Sequence, residues 1–259
     1  MTAIATAALV DRIAALDRPL LVALDVDGTL APIVRNPDLA AIPTPTLAVL
    51  EGLSVTEGVV LALITGRDLE SLERIERIEG IWRAVEHGGL ILPPGEEADR
   101  RALTEEQQRA LDRFRAWADR DAKDAFIEHK PQAIAVHVRG IAEHDPARAE
   151  QLLEEADNLA AKLGLHVRRG KALREAEAIH HDKGKALAEI LRRTDAASTF
   201  FAGDDLTDFP AIELAARMGI GAFVHSDERP VKPSDDAVIL SGVDQMSRVL
   251  QELYSRLRA

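Results

Sequence analysis

The stretch from Leu20 to Leu30, LLVALDVDGTL, constrains the fold of this chain more than any other. Its opening run, Leu20 to Leu24, is wholly apolar, long enough for one buried strand of a parallel sheet and too short for a helix. Two acids follow at once, Asp25 and Asp27, and Gly28 frees the backbone to turn sharply. Both acids are therefore predicted just past the carboxyl edge of a sheet, where open α/β proteins bind ligands.

The rest of the chain supplies partners for that strand. Thr44 is the expected N-cap of a helix with Pro45 at its first position. Val59 to Thr65, VVLALIT, reads as a second buried strand ending in TGR, and Asp68 as the cap of a charged helix through Arg77. A third short strand is expected at Ala84 to Glu86, leading into His87. Strands alternating with helices indicate βαβ units.

From Pro93 the rhythm changes. Thr104 opens a long helix to about Ala122, strand-like runs follow at Phe126 to Lys130 and Ala133 to Val138, and Asp145 and Pro146 start a helix reaching Leu163. Two more short strands flank the turn Arg169, Gly170 and Lys171. The parallel pattern resumes at Asp182 with the helix DKGKALAEILRR and the strand Ser198 to Ala202 ending in GDD. Thr207 is the expected cap of the next helix, strands follow near Gly221 to Val224 and Ala237 to Leu240, and Val243 to Leu257 forms an amphipathic terminal helix. The predicted fold class is thus α/β: a Rossmann-like parallel-sheet core, residues 1–95 and 178–259, carrying an inserted α+β domain, residues 96–177.

Composition removes several function classes. The chain has no cysteine, which excludes disulfides, thiolate metal sites and a cysteine nucleophile. A net charge of -12 sets a repulsive long-range field against nucleic acid, yet a local cluster of cations or a metal can still hold a small anion. The opening IATAALVDRIAAL lacks a basic lead and is interrupted by Asp11 and Arg12, so it reads as an amphipathic helix rather than a signal peptide. No stretch reaches the ~18 apolar residues of a membrane span, and the expected location is the cytoplasm. Aromatic residues make up 3% of the chain, so recognition must lean on charged and hydrogen-bonding groups rather than on stacking.

Strand ends and helix starts carry the reactive groups: Asp25 with Asp27, Thr65, Lys183, and Asp204 with Asp205. In this order on a parallel sheet they supply a nucleophilic acid, a second acid, a hydroxyl donor, a cation and a metal-binding carboxylate. Phosphoryl transfer to an aspartate needs that set, because in-line attack, charge neutralisation and a proton for the leaving oxygen must coincide. Asp205 and Asp208 are read either as orienting the site or as capping the following helix.

DVDGT, Thr65 of LITGR, Lys183 of DKGKA and GDDLTD together resemble the four motifs of the haloacid dehalogenase superfamily. The resemblance implies Asp25 as the nucleophile and Asp27 as the acid that protonates the leaving alcohol and then activates water. It also implies Thr65 and Lys183 on the phosphoryl oxygens, and Mg²⁺ between Asp25, the Asp27 carbonyl and Asp204. An insert after the second motif resembles the subclass acting on sugar phosphates, whose inserted cap closes over the substrate.

DGTLAPIVRNPDLA, PTPTLAVLEGL, LITGR, EHGG and GDDLTD further resemble the trehalose-6-phosphate phosphatases. That likeness implies a sugar phosphate as the small-molecule partner, with Arg67, His87, Glu128, Lys130, Arg139, Lys171 and Glu175 as substrate-binding residues. His137 falls two residues before Arg139, as that family's pattern requires. The chain departs from the pattern at Phe209 and Pro210, and at Glu177 and Ala178, where an Arg-Pro pair is usual. The alternatives are a phosphatase of sucrose phosphate or mannosyl phosphoglycerate, a phosphosugar mutase, or a phosphosugar sensor without catalysis.

Overall fold

The structure, a computed structural model, describes residues 4–34, 39–96, 102–170, 172–226 and 236–258. The chain divides into two compact units, one formed by Met1–Arg100 with His181–Ala259 and the other by Arg101–His180. Up to the first crossing between units, the elements are α1 (Thr6–Ala14), β1 (Leu20–Leu24), α2 (Thr44–Ser54), β2 (Val59–Ile64), α3 (Leu69–Glu73), β3 (Trp82–Val85) and β4 (Leu90–Leu92). The second unit holds α4 (Glu105–Asp121), β5 (Phe126–His129), β6 (Ala133–His137), α5 (Arg139–Ala142), α6 (Pro146–Leu163), β7 (His166–Gly170) and β8 (Leu173–Glu177). The first unit then resumes with α7 (Lys183–Thr194), β9 (Ser198–Gly203), α8 (Phe209–Met218), β10 (Gly219–Val224), β11 (Val238–Leu240) and α9 (Val243–Leu257).

In the first unit a seven-stranded sheet runs β11-β10-β9-β1-β2-β3-β4. It is parallel except at β4, which pairs antiparallel with β3. β1 lies at the middle, with Leu20 opposite both Val59 and Ser198. All its residues are buried because both faces of the sheet are covered. Leu20, Val22 and Leu24 join an apolar cluster with Leu9 and Ile13 of α1, Leu50 of α2 and Leu250 of α9. Leu21 and Ala23 face the opposite way, toward Leu187 and Ile190 of α7 and Ile212 of α8. Each fully buried leucine of this run stabilises the fold by roughly 2 kcal/mol, which anchors the strand whose end carries Asp25.

In the second unit an antiparallel sheet runs β5-β6-β8-β7. One face packs Ile134, Val136 and Ala176 against Leu111 and Phe114 of α4 and Leu152 of α6. Register places Glu128 and Glu175 on either side of Ala135, with Arg168 beyond Glu175, in one row across the sheet. Thr104, the expected start of this helix, caps α4 in a reciprocal arrangement with Gln107. Among the described residues no helix is long and apolar enough to cross a membrane.

Several local expectations give way. The charged helix expected to reach Arg77 ends at Glu73. The buried Glu76 carboxylate there accepts from the Ile78 N–H (2.8 Å) and the Arg83 Nε (2.7 Å), which turns the chain into β3. β4 carries no polar alternation, and only its pairing with Arg83 to Val85 defines it. Thr44 is the first residue of α2, with Pro43 at the cap position. Thr207 lies inside a tight 3₁₀ turn, Leu206–Asp208, which Asp205 caps, and α8 starts after it with Pro210 in its first turn.

Candidate active site

The end of β1 is tied to its neighbour, since the Asp25 N–H donates to Ala202 O at 2.9 Å. This brings the Asp25 carboxylate beside the loop that follows β9. Lys183, first residue of α7, reaches the same place: its Nζ donates to Asp25 Oδ1 at 2.7 Å and to Asp208 Oδ1 at 2.6 Å. Asp208 in turn accepts the backbone N–H groups of Asp204 (3.1 Å) and Asp205 (2.9 Å) on its other oxygen. The GDDLTD loop is therefore wrapped around a buried carboxylate that also fixes the lysine. Asp182 caps α7 by accepting from the Lys185 N–H at 2.8 Å.

Carboxylate oxygens of Asp25, Asp204 and Asp208, all buried, lie within 4.8 Å of one another. Burial raises the Asp25 pKa well above the ordinary carboxylate value; the Lys183 ammonium lowers it, and Asp208 and Asp204 push it up again. Burial also works against the charged form of Lys183, but attraction to Asp208 and Asp25 outweighs it and places the lysine pKa above its ordinary value. A single ammonium among these acids leaves a surplus of negative charge. An all-oxygen donor set with that surplus fits a hard divalent cation.

Two glycines make the approach possible. Gly28 has φ +86°, and a Cβ there would stand 2.1 Å from Asp204 Oδ2. At Gly203 a Cβ would fall 2.3 Å from Asp208 Cγ. In both places a side chain would occupy the space the carboxylates need.

Asp27 lies apart from this cluster in its side chain. Its carboxylate accepts Arg67 Nε at Oδ2 and Arg67 Nη2 at Oδ1, both at 2.7 Å. Of the sequence-derived metal set, Asp25 and Asp204 share the carboxylate cluster, Asp208 joins them, and Asp27 has its backbone carbonyl to offer. Thr65 is buried at the end of β2, and its Oγ1 accepts the Arg67 N–H at 3.2 Å, a contact that does not use the hydroxyl hydrogen. The His87 N–H donates to Thr65 O at 2.8 Å, and its half-buried ring packs where a Gly66 side chain would go.

In the second unit Lys130 Nζ donates to Glu175 Oε1 at 2.6 Å and stands 4.0 Å from Glu128, which meets His137 Nε2 at 3.2 Å. These side chains form one polar strip on the sheet. Arg139 follows β6, opens the short helix α5 and is exposed. Lys171 lies outside the described residues. Glu177, where the family pattern has a cation nearby, accepts from Arg168 at 2.9 Å, so the sheet supplies its own positive partner. Pro210 packs closely on α7, where a Cβ on Gly184 would be 2.8 Å from the proline Cβ. Sequence reasoning underrated Asp208, whose spacing of four from Asp204 was the available signal, and missed the partnership of Arg67 with Asp27, which no local spacing reveals.

The family model described as trehalose-phosphatase matches residues 23–244. The chain is 32% identical over 216 residues to an uncharacterized glycosyl hydrolase of Mycobacterium tuberculosis, a match covering 79% of this chain and 16% of that protein. It is 31% identical over 202 residues to a probable trehalose-phosphate phosphatase of Sinorhizobium fredii, covering 76% of this chain and 74% of that one. The chain therefore spans a small part of the mycobacterial relative and most of the rhizobial one. In fold it is similar to trehalose-6-phosphate phosphatase of Aspergillus fumigatus, with a TM-score of 0.74, 22% identity, and coverage of 98% of this chain and 99% of that structure. By the extent of the family match and by its rhizobial relative, the chain belongs to the trehalose-phosphatase family.

Proposed function

We propose that this chain is a Mg²⁺-dependent phosphatase that hydrolyses trehalose 6-phosphate to trehalose and phosphate through an aspartyl-phosphate intermediate. The observation that carries the reading is the buried Asp25 carboxylate at the end of β1, held by Lys183 and faced by Asp204 and Asp208. Asp25 attacks phosphorus as the bond to the sugar oxygen breaks, and Asp27 gives that oxygen its proton. Asp27 then takes a proton from water as the water oxygen displaces Asp25. Thr65 and Lys183 neutralise and orient the phosphoryl oxygens. Asp25, Asp204 and the Asp27 carbonyl would hold Mg²⁺, with Asp208 bracing them, and the ion when bound supplies charge stabilisation.

The second unit takes the part of the specificity cap. Glu128, Lys130, Glu175 and Arg139 offer paired donors and acceptors suited to the hydroxyls of a disaccharide. His87 and Lys171 are the further substrate contacts that the family pattern suggests. The test is phosphate release over a panel of sugar phosphates with Mg²⁺ present. A clear preference for trehalose 6-phosphate supports the reading; equal or better turnover of sucrose phosphate or mannosyl phosphoglycerate overturns the sugar assignment. Return of the phosphate to the sugar, rather than its release, overturns hydrolysis in favour of a mutase.

A further inference from the structure

We infer that Arg67 is a positioning residue for Asp27, and this inference rests on the phosphatase reading above. The two side chains meet as a planar fork, Nε to Oδ2 and Nη2 to Oδ1, both at 2.7 Å. Two parallel bonds fix the plane and direction of the carboxylate, which a single bond leaves free to swing. Each Asp27 oxygen still keeps a second lone pair for a proton or a substrate.

Exposure separates the two roles. The Arg67 side chain is 9% exposed and that of Asp27 is 34% exposed, so the arginine lies behind and the acid stays open. The arginine backbone is braced as well: its N–H donates to Thr65 Oγ1 at 3.2 Å, and its carbonyl accepts from the Glu86 N–H at 2.8 Å. The bracing loop is itself under strain, because Glu86 (φ 54°) and His87 (φ 57°) both hold left-handed backbone conformations without being glycine. Such strain of ~1–3 kcal/mol per residue persists where surrounding contacts over-determine the geometry. The turn carrying Thr65 and Arg67 is thus a rigid mount, and what it presents is the direction of Asp27.

In the first half-reaction the P–O bond to the sugar breaks, the Asp25 Oδ–P bond forms, and the Asp27 proton passes to the sugar oxygen. A sugar alkoxide needs that proton, whereas p-nitrophenolate leaves as a stable anion without it. Loss of Asp27 positioning must therefore depend on the leaving group. The experiment compares wild type, R67A and R67K on trehalose 6-phosphate and on p-nitrophenyl phosphate, with rapid mixing to resolve first-turnover release of p-nitrophenolate.

For R67A the expected result is a fall in kcat on trehalose 6-phosphate of ~10²-fold or more, with KM changed less than ~3-fold and first-turnover p-nitrophenolate release changed less than ~3-fold. R67K keeps the charge and loses the fork, so it falls with R67A on the sugar phosphate; it also carries the test if R67A does not fold. Equal losses on both substrates overturn the inference, as does a rise in KM with kcat unchanged, which would put Arg67 on the substrate, or full activity in R67K. Absence of phosphate release from either substrate by the wild type overturns the phosphatase reading itself and this inference with it.

Discussion

Lys183 Nζ stands 2.7 Å from Asp25 Oδ1, although the two residues lie 158 positions apart in the chain and come from different elements of the sheet-and-helix core. Because the same nitrogen also bonds Asp208, the lysine links the end of β1 to the loop after β9. The candidate nucleophile is thereby held in a network whose parts can be removed one at a time.

D25N should abolish phosphate release, by on the order of 10³-fold or more, while the protein stays folded. Burial raises the Asp25 pKa above its ordinary 3.8. In the metal-free protein this group's contribution to stability is therefore fully present below pH 3.8 and is lost as pH rises through the raised folded value. The neutral amide removes that dependence. Melting temperatures of both proteins in chelator should show wild type losing ground to D25N as pH rises from acid to neutral; a constant difference would contradict the assignment of a buried, proton-favouring Asp25.

K183M leaves the buried acids Asp25, Asp204 and Asp208 within 4.8 Å of each other without their cation. Removing one partner from a buried ionic group costs about 3–5 kcal/mol. Urea unfolding should show a loss of that order in chelator, and Mg²⁺ should restore more stability to K183M than it adds to wild type. A variant as stable as wild type without metal would show that the lysine is not needed to balance these carboxylates.

Removal of divalent metal should stop turnover reversibly. Mg²⁺ at 100 times its dissociation constant should stabilise the wild type by about 2.7 kcal/mol, read as a rise in melting temperature. D204N should lose most of that rise because it removes a charged oxygen donor from the cluster. An unchanged Mg²⁺ response in D204N would remove Asp204 from the metal set.

K130A should raise KM for trehalose 6-phosphate by about tenfold or more and change turnover of p-nitrophenyl phosphate less than about threefold. The Lys130–Glu175 pair is part-exposed, with the lysine side chain at 36%, so its loss should cost at most ~1 kcal/mol of stability. Parallel kinetic losses on both substrates would show that Lys130 does not read the sugar.

The sequence by itself determined the sheet, the insert and the acids at the strand ends. The reason is length joined to hydrophobicity: a continuous apolar run as short as Leu20 to Leu24 suits a strand covered on both faces and not a helix, and an acid after such a run comes at the sheet edge. Local chemistry also marked Thr104 and Asp182 as helix starts, and in the structure both are caps. Tertiary structure decided what no spacing encodes. Asp208 reads in the string GDDLTD either as a helix cap or as a residue orienting the site, and burial beside Lys183 makes it part of the carboxylate cluster. Arg67 looks like a substrate cation in LITGR, yet the pairing of β1 with β2 brings it to Asp27. Glu76 ends a helix whose charges alone would have continued it, because its carboxylate finds Ile78 and Arg83. In each case a charged side chain has many acceptable partners in the extended chain, and only folding brings one of them within hydrogen-bonding distance and excludes water from the rest.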